Sequence, residues 1–336
     1  MKKIIIIGAG AMGSAFAVPC LDNKNDVTVV GSHLEDNLIE TINSNNHSHP
    51  ALKTQLSKEI KFERFEKLQT ILKEKIDIIV CGVSSIGIEW FVKQISKNYN
   101  NKIPIVLLTK GLSIVDNELT TLSDKIKYLL KKEGHSRINI SAIKGPCLAA
   151  GLANKMRTST VIANQNVKES LLLKDMISTK YYSTEISEDI TGVELSGAIK
   201  NIYSMLIGAS VGLSSDNADD NIKSKYYLNT AASLVHKSMS EMRKILKKLN
   251  GNEETVFGLA GLGDLHVSAA GGRNSKMGSY LGKGMLFLDA KEEHMKEITI
   301  EGAELALEIG PKILREFDKN EFPLLFSMLD AICNNK

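Results

Sequence analysis

Lys200 and Asn201 stand side by side in an apolar, helix-periodic run from Val193 to Leu213. With Gly197, Ser204 and Gly208 they follow an i, i+3, i+4, i+7, i+11 pattern, which a helix gathers on one face. That face has two readings. Its glycines can mark a close helix–helix contact with Lys200 snorkelling outward, or the face can be a cleft wall turning an ammonium and an amide toward a ligand. Downstream, Gly258-Leu-Ala-Gly-Leu-Gly-Asp-Leu265 and Gly271-Gly-Arg-Asn274 set Asp264, Arg273 and Asn274 in glycine-rich turns. A carboxylate, a guanidinium and an amide in one short region favour the cleft. Arginine occurs only at positions 64, 137, 157, 243, 273 and 315, against 42 basic residues in all. A planar fork in a chain that otherwise uses lysine suits a phosphate or carboxylate, and a surface ion pair would not explain the glycines and Asn274 beside it.

A second constellation lies near the start. Gly8, Gly10 and Gly13 spell GxGxxG directly after the apolar run Ile4 to Ile7. The first glycine permits a tight turn, the second lets backbone approach a pyrophosphate, and the third lets a helix pack close to the strand. The turn, with Ala11 and Met12 inside it, is expected to hold NAD or NADP. An acid about twenty residues on would bind the ribose hydroxyls, but Gly31, Ser32 and His33 stand there, with Glu35 only further along. No carboxylate is immediately placed to repel a 2′-phosphate and no arginine waits to receive one. Ser32 and His33 are candidate ribose contacts, or caps for the next segment.

The elements that must carry these residues follow from hydrophobic periodicity. Ile4 to Ile7, Val27 to Val30, Ile76 to Cys81, Ile103 to Leu108 and Ile138 to Ile143 read as buried parallel strands. Amphipathic segments such as Ile86 to Ser96 and Leu119 to Lys132 alternate with them, and Ser159 to Ala163 and Tyr181 to Glu185 extend the sheet. This rhythm predicts an α/β fold, an N-terminal Rossmann-type doubly wound sheet over residues 1–188. Past it, Val193 to Leu213, Leu228 to Leu249, Ile300 to Lys319 and Phe322 to Cys333 predict a C-terminal all-α domain over 189–336, with no linker-like tract at the junction.

Composition narrows the function. The net charge of +3 over 336 residues is no electrostatic footprint for nucleic acid. Cys20, Cys81, Cys147 and Cys333 show no metal-ligand or disulfide spacing, which points to a reducing, cytoplasmic setting and to no metal site. The N-terminus imitates a secretory or lipoprotein signal, yet its recurrent glycines suit a turn better than a cleaved helix. No stretch has the length of a membrane span.

Taken together, IGAGAMGSAFA, LLTKG at Lys110, KGP at 144–146, GVELSGAIKN, GLAGLGDL, GGRN and IEGAELA resemble the NAD(P)-dependent sn-glycerol-3-phosphate dehydrogenases, in that family's order. The resemblance spans nearly the whole chain, missing mainly the region from about 34 to 75. It implies that Lys200 protonates the reacting oxygen, that Asp264 orients it, and that Lys110 belongs to the catalytic and substrate-binding set. Gly145, Cys147, Asn201, Ser268, Arg273 and Asn274 become substrate contacts; Lys110, Ala149, Arg273 and Glu301 become cofactor contacts. The implied reaction interconverts dihydroxyacetone phosphate and sn-glycerol 3-phosphate and feeds glycerophospholipid synthesis, in a homodimer. The chemistry agrees: ketone reduction develops negative charge on oxygen that an ammonium stabilises and protonates.

Several positions depart from the family pattern. Cys147 replaces a serine, Ser84 a proline, and Lys237-Ser238 an Arg-Gly pair; Asn43 to His49 is polar, and a polar insertion covers about 214–227. These keep two other readings in view: a paralogue acting on another phosphorylated polyol or ketose, and a catalytically silent redox sensor. The sensor would need the glycine turn but not Lys200, Asp264 and the GGRN turn together.

Overall fold

The computed structural model describes residues 1–214 and 220–336, with side chains given outside 215–226. Of the polar insertion expected at 214–227, residues 215–219 lie outside the described residues, and 220–227 run into a helix. The described strands are β1 (Lys3–Ile7), β2 (Asp26–Val30), β3 (Ser48–His49), β4 (Thr54–Gln55), β5 (Lys61–Glu63), β6 (Ile78–Cys81), β7 (Ile105–Leu107), β8 (Leu112–Val115), β9 (Glu118–Thr121), β10 (Ile140–Lys144), β11 (Thr158–Ala163) and β12 (Tyr182–Ser187). Eight form one sheet in the order β12-β11-β10-β7-β6-β1-β2-β5. Only the β10–β11 pair is antiparallel.

Contacts divide the chain into two compact units, one of 1–110 with 121–190 and one of 111–120 with 191–336. In the first, β1 lies at the centre, Ile4 opposite Val27 on one side and Ile78 on the other. Side chains alternate across a strand, so Ile4 and Ile6 enter the core on one face of the sheet, and Ile5 and Ile7 the core on the other. All four isoleucines are fully buried, which is why this strand is a continuous apolar run. The helices are α1 (Ala11–Asp22), α2 (Asp36–Ser44), α3 (Leu68–Ile71), α4 (Ile88–Ser96), α5 (Leu122–Lys132), α6 (Ala149–Ala153) and α7 (Val167–Ile177). Between β1 and β6 the strand order reverses direction, the place where doubly wound sheets open a crevice for ligands.

One expectation is corrected here. The helix expected from Leu119 starts at Leu122, because 118–121 is strand β9 and Thr121 caps the helix by accepting the Asp124 N–H at 3.2 Å. The edge strand β5 and the hairpins β3–β4 and β8–β9 were too short to show a period of their own.

The second unit holds α8 (Ile190–Leu213), α9 (Asp220–Lys248), α10 (Asp264–Ala269), α11 (Arg273–Gly282), α12 (Phe287–His294), α13 (Glu301–Glu316) and α14 (Pro323–Cys333). Helix α9 begins eight residues before the expected Leu228. Helix α8 is buried around almost its whole circumference from Val193 to Met205, so it is the unit's central rod and not a surface amphipath. Buried Glu241 ties it in place. Its carboxylate accepts the Tyr203 hydroxyl at 2.9 Å and the Leu324 and Leu325 N–H groups at 2.8 and 3.0 Å, satisfying orphan donors in the first turn of α14. Burial and this carboxylate hold the Tyr203 hydroxyl well above its usual titration range.

Candidate active site

The glycine turn joins β1 to α1, where the sequence places it. Gly8 has φ +109°, and a Cβ there would meet Gly82 backbone, which follows β6, at 2.7 Å. A Cβ on Gly13 would fall 2.2 Å from the Gly8 carbonyl oxygen. Side chains are therefore excluded at both positions by backbone, and the first turn of α1 stands close over the sheet. At Gly10 the added carbon would meet only a Glu35 carboxylate oxygen, at 3.8 Å, so this backbone is open to approach. That cradle fits a dinucleotide pyrophosphate at the N-terminus of α1.

Past β2 the outcome differs from expectation. Ser32 and His33 do not cap α2, whose N-cap is Glu35. His33 instead packs its ring on Phe65 and Trp90, with centroids 6.2 and 5.4 Å away. Glu35 reaches back over the strand end, where its carboxylate accepts the Ser32 N–H at 2.7 Å and the Ala9 N–H at 3.2 Å. The Ala9 carbonyl is held by Ser14 Oγ at 2.8 Å and lies 3.0 Å from His49 Nε2. His49 comes from a segment that neither motif nor period marks, and Glu35 stood in the sequence only as an acid beyond the usual position.

Also in the first unit, Lys110, Gly145 and Cys147 line one pocket with Met12, Phe16 and Tyr182. Gly145 has φ +139°, and its missing Cβ leaves room for Thr160 backbone 3.0 Å away. Ala149 opens the short helix α6 just beyond. Lys144 lines the same pocket and was not anticipated as a site residue. It is almost fully buried and donates to the Leu107 carbonyl at 3.1 Å. Its only sequence signal was membership of the KGP motif. Of the cysteines, burial pushes the Cys81 thiol up to about 12.

The second unit brings most of its candidate residues together. Lys200 does not snorkel: its side chain is 3% exposed and its ammonium donates to Asp264 at 2.8 Å and to the Ser268 hydroxyl. Asp264 and Ser268 are one turn apart on α10, so both face the same point. The turn before them, Leu259–Gly263, is a π-helix; there a Cβ on Gly261 would lie 1.9 Å from the Val256 carbonyl. This explains Gly261 of GLAGLGD as the requirement of a wide, backbone-packed turn that delivers Asp264. One residue along α8, Asn201 accepts from Asn274 Nδ2 at 3.0 Å, and Asn274 Oδ1 accepts the Gly302 N–H at 2.9 Å. Glu301 pairs with Arg273 at 3.0 Å and accepts from Asn201 at 3.4 Å.

Glycines set the spacing of this network. A Cβ on Gly208 would lie 2.2 Å from the Ser275 carbonyl, and one on Gly278 would lie 1.8 Å from that of Met205. Helices α8 and α11 thus touch backbone to backbone, which brings Asn274 within reach of Asn201. Along the α8 face the close contact is found at Gly208, while Lys200 points inward, against the snorkelling reading, and joins Asn201 in a buried polar cluster.

A doubly wound sheet with a nucleotide-fitting glycine turn, and a helical unit with a buried ammonium held by a carboxylate, define a dinucleotide-dependent oxidoreductase. Comparison with known proteins makes this specific. The model of the NAD-dependent glycerol-3-phosphate dehydrogenase N-terminus matches residues 3–170, and that of its C-terminus matches 189–336. The chain is 32% identical to an NADP(+)-dependent glycerol-3-phosphate dehydrogenase of Archaeoglobus fulgidus, over 86% of this chain and 83% of that one. It is 30% identical to a glycerol-3-phosphate dehydrogenase [NAD(P)+] of Mesoplasma florum, over 98% and 93%. The fold matches the crystal structure of a Coxiella burnetii glycerol-3-phosphate dehydrogenase with a TM-score of 0.83 at 23% identity, covering 100% of this chain and 95% of that one. The chain belongs to the NAD-dependent glycerol-3-phosphate dehydrogenase family.

Proposed function

We propose that this chain interconverts dihydroxyacetone phosphate and sn-glycerol 3-phosphate, with residues 1–188 as the dinucleotide-binding domain and 189–336 as the substrate-binding and catalytic domain. Gly8, Gly10, Ala11, Met12 and Gly13 hold the dinucleotide, with Ser32, His33, Lys110, Ala149, Arg273 and Glu301 as further contacts. When bound, NADH or NADPH supplies the hydride. Negative charge then develops on the carbonyl oxygen, and the Lys200 ammonium stabilises it and gives it a proton. Asp264 and Ser268 hold that ammonium in one orientation. In the reverse direction the neutral amine takes the hydroxyl proton. Lys110, Gly145, Cys147, Asn201, Ser268, Arg273 and Asn274 form the substrate-binding set of this reading, Arg273 matching the phosphate with its fork.

The observation that carries the proposal is the buried contact of Lys200 with Asp264 and Ser268, in a chain whose family is established. Among the described residues no helix is long and apolar enough to cross a membrane. A cytoplasmic homodimer serving glycerophospholipid synthesis completes the reading. The test is turnover with dihydroxyacetone phosphate and each reduced nucleotide, beside a panel of other ketose phosphates. Turnover of another ketose phosphate without turnover of dihydroxyacetone phosphate would reject the substrate. Cys147 on the pocket wall is what motivates the panel.

A further inference from the structure

We propose that Glu35 sets a preference for NAD(H) over NADP(H), standing in for the carboxylate that the end of β2 lacks. The inference rests on the reading that the first unit binds a nicotinamide dinucleotide. With the pyrophosphate on the glycine turn, the adenosine ribose of such a cofactor lies over the end of the second strand. There β2 stops at Val30 and is followed by Gly31, Ser32 and His33. A turn closed by the Glu35 N–H on the Ser32 carbonyl at 2.9 Å reverses the chain. The Glu35 side chain then folds back over the strand end, onto the N–H groups of Ser32 and Ala9. Ala9 lies between Gly8 and Gly10, so the carboxylate rests on the glycine turn itself.

The bare Gly31 makes this possible. A Cβ at that position would lie 3.0 Å from Ile39 Cγ1 and 3.4 Å from Glu35 Cβ. An acid directly after the strand, the usual arrangement, would crowd the turn that brings Glu35 in.

The charges nearest on β5 and α2 pair with one another. Arg64 follows β5, whose Glu63 carbonyl accepts the Gly31 N–H at 3.0 Å. Its guanidinium pairs with Glu40 at 2.9 Å and lies 3.9 Å from Asp36, both on α2. Ribose hydroxyls can donate to the Glu35 carboxylate. A 2′-phosphate, dianionic and acceptor-only, would meet a like charge already fixed by two N–H donors.

The experiment is calorimetric titration of the full-length protein with NADH and with NADPH, repeated by quenching of Trp90, the chain's only tryptophan. Wild type is expected to bind NADH at least about tenfold more tightly than NADPH. Glu35→Gln keeps an oxygen for the Ser32 and Ala9 donors but loses the charge, and should bring the ratio to within about threefold, mainly by tightening NADPH. Glu35→Ser should move it the same way. Equal binding by wild type, tighter NADPH, or a ratio unchanged in both variants would overturn the proposal while leaving the dinucleotide reading intact. Failure of wild type to bind either nucleotide would overturn both.

Discussion

The Lys200 ammonium and the Asp264 carboxylate meet at 2.8 Å with side chains 3% and 4% exposed, 64 residues apart in the chain. A charge so withdrawn from water is kept only by its partner. Replacing Lys200 with Ala should lower turnover by roughly two to four orders of magnitude, as for loss of a positioned acid. Dinucleotide binding, followed by calorimetry, should be unaffected. Turnover equal to wild type would take the proton from Lys200.

The same pair predicts a stability pattern that catalysis does not. Asp264→Ala strands an ammonium in the interior and should cost about 3–5 kcal/mol in denaturant unfolding. The double variant Lys200→Met, Asp264→Leu removes both charges and should recover most of that loss. If the double variant were no more stable than Asp264→Ala alone, the two charges would not be coupled.

Arg273 and Glu301 contrast with them. Their side chains are 53% and 45% exposed, and a surface pair of this kind contributes about 0–1 kcal/mol. Arg273→Ala should therefore leave the unfolding midpoint almost unchanged while raising KM for the phosphorylated substrate about 10- to 100-fold. Arg273→Lys should recover only part of it, lacking the planar fork. A large drop in stability with unchanged KM would make the residue structural.

At Gly208 a methyl group would be driven against the Ser275 carbonyl. Because the obstacle is backbone, Gly208→Ala should destabilise by about 1–3 kcal/mol, and turnover should fall as Asn274 moves from Asn201. Wild-type stability in urea would show that α8 and α11 can separate freely.

Glu304 supplies a pH test. At this surface position partial loss of water around the carboxyl first, and the Glu301 carboxylate second, raise its folded-state titration above the usual carboxylate range, against the opposing pull of Lys291 and Arg273. A raised carboxylate favours the folded state while protonated and opposes it once ionised. Glu304→Gln should therefore stabilise the protein at neutral pH, and the gain should disappear as pH falls below the usual carboxylate range. Equal gains at both pH values would assign the effect to something other than ionisation.

Much of the architecture was legible from local pattern. The run Ile4 to Ile7 and the three glycines after it contain their own instructions, because burial on both faces and a backbone-tight turn each demand particular residues at consecutive positions. The heptad-like recurrence of Gly197, Lys200, Asn201, Ser204 and Gly208 likewise determined that these side chains share one face of a helix. What periodicity could not decide was whether that face met solvent, backbone or a carboxylate. The short strands β3, β4, β5, β8 and β9 left no period to read.

Sequence alone thus determined the fold class, the nucleotide turn and the roster of polar groups on α8, α10 and α11, since these depend on residues a few positions apart. Tertiary structure decided which of them touch. Lys200 finds Asp264 because a π-turn presents the carboxylate to a buried helix, and Asn201 finds Asn274 because glycines let two backbones meet. Glu35 reaches Ala9 because Gly31 leaves room for the chain to fold back. Each is a long-range contact fixed by packing, and spacing along the chain carries no record of it.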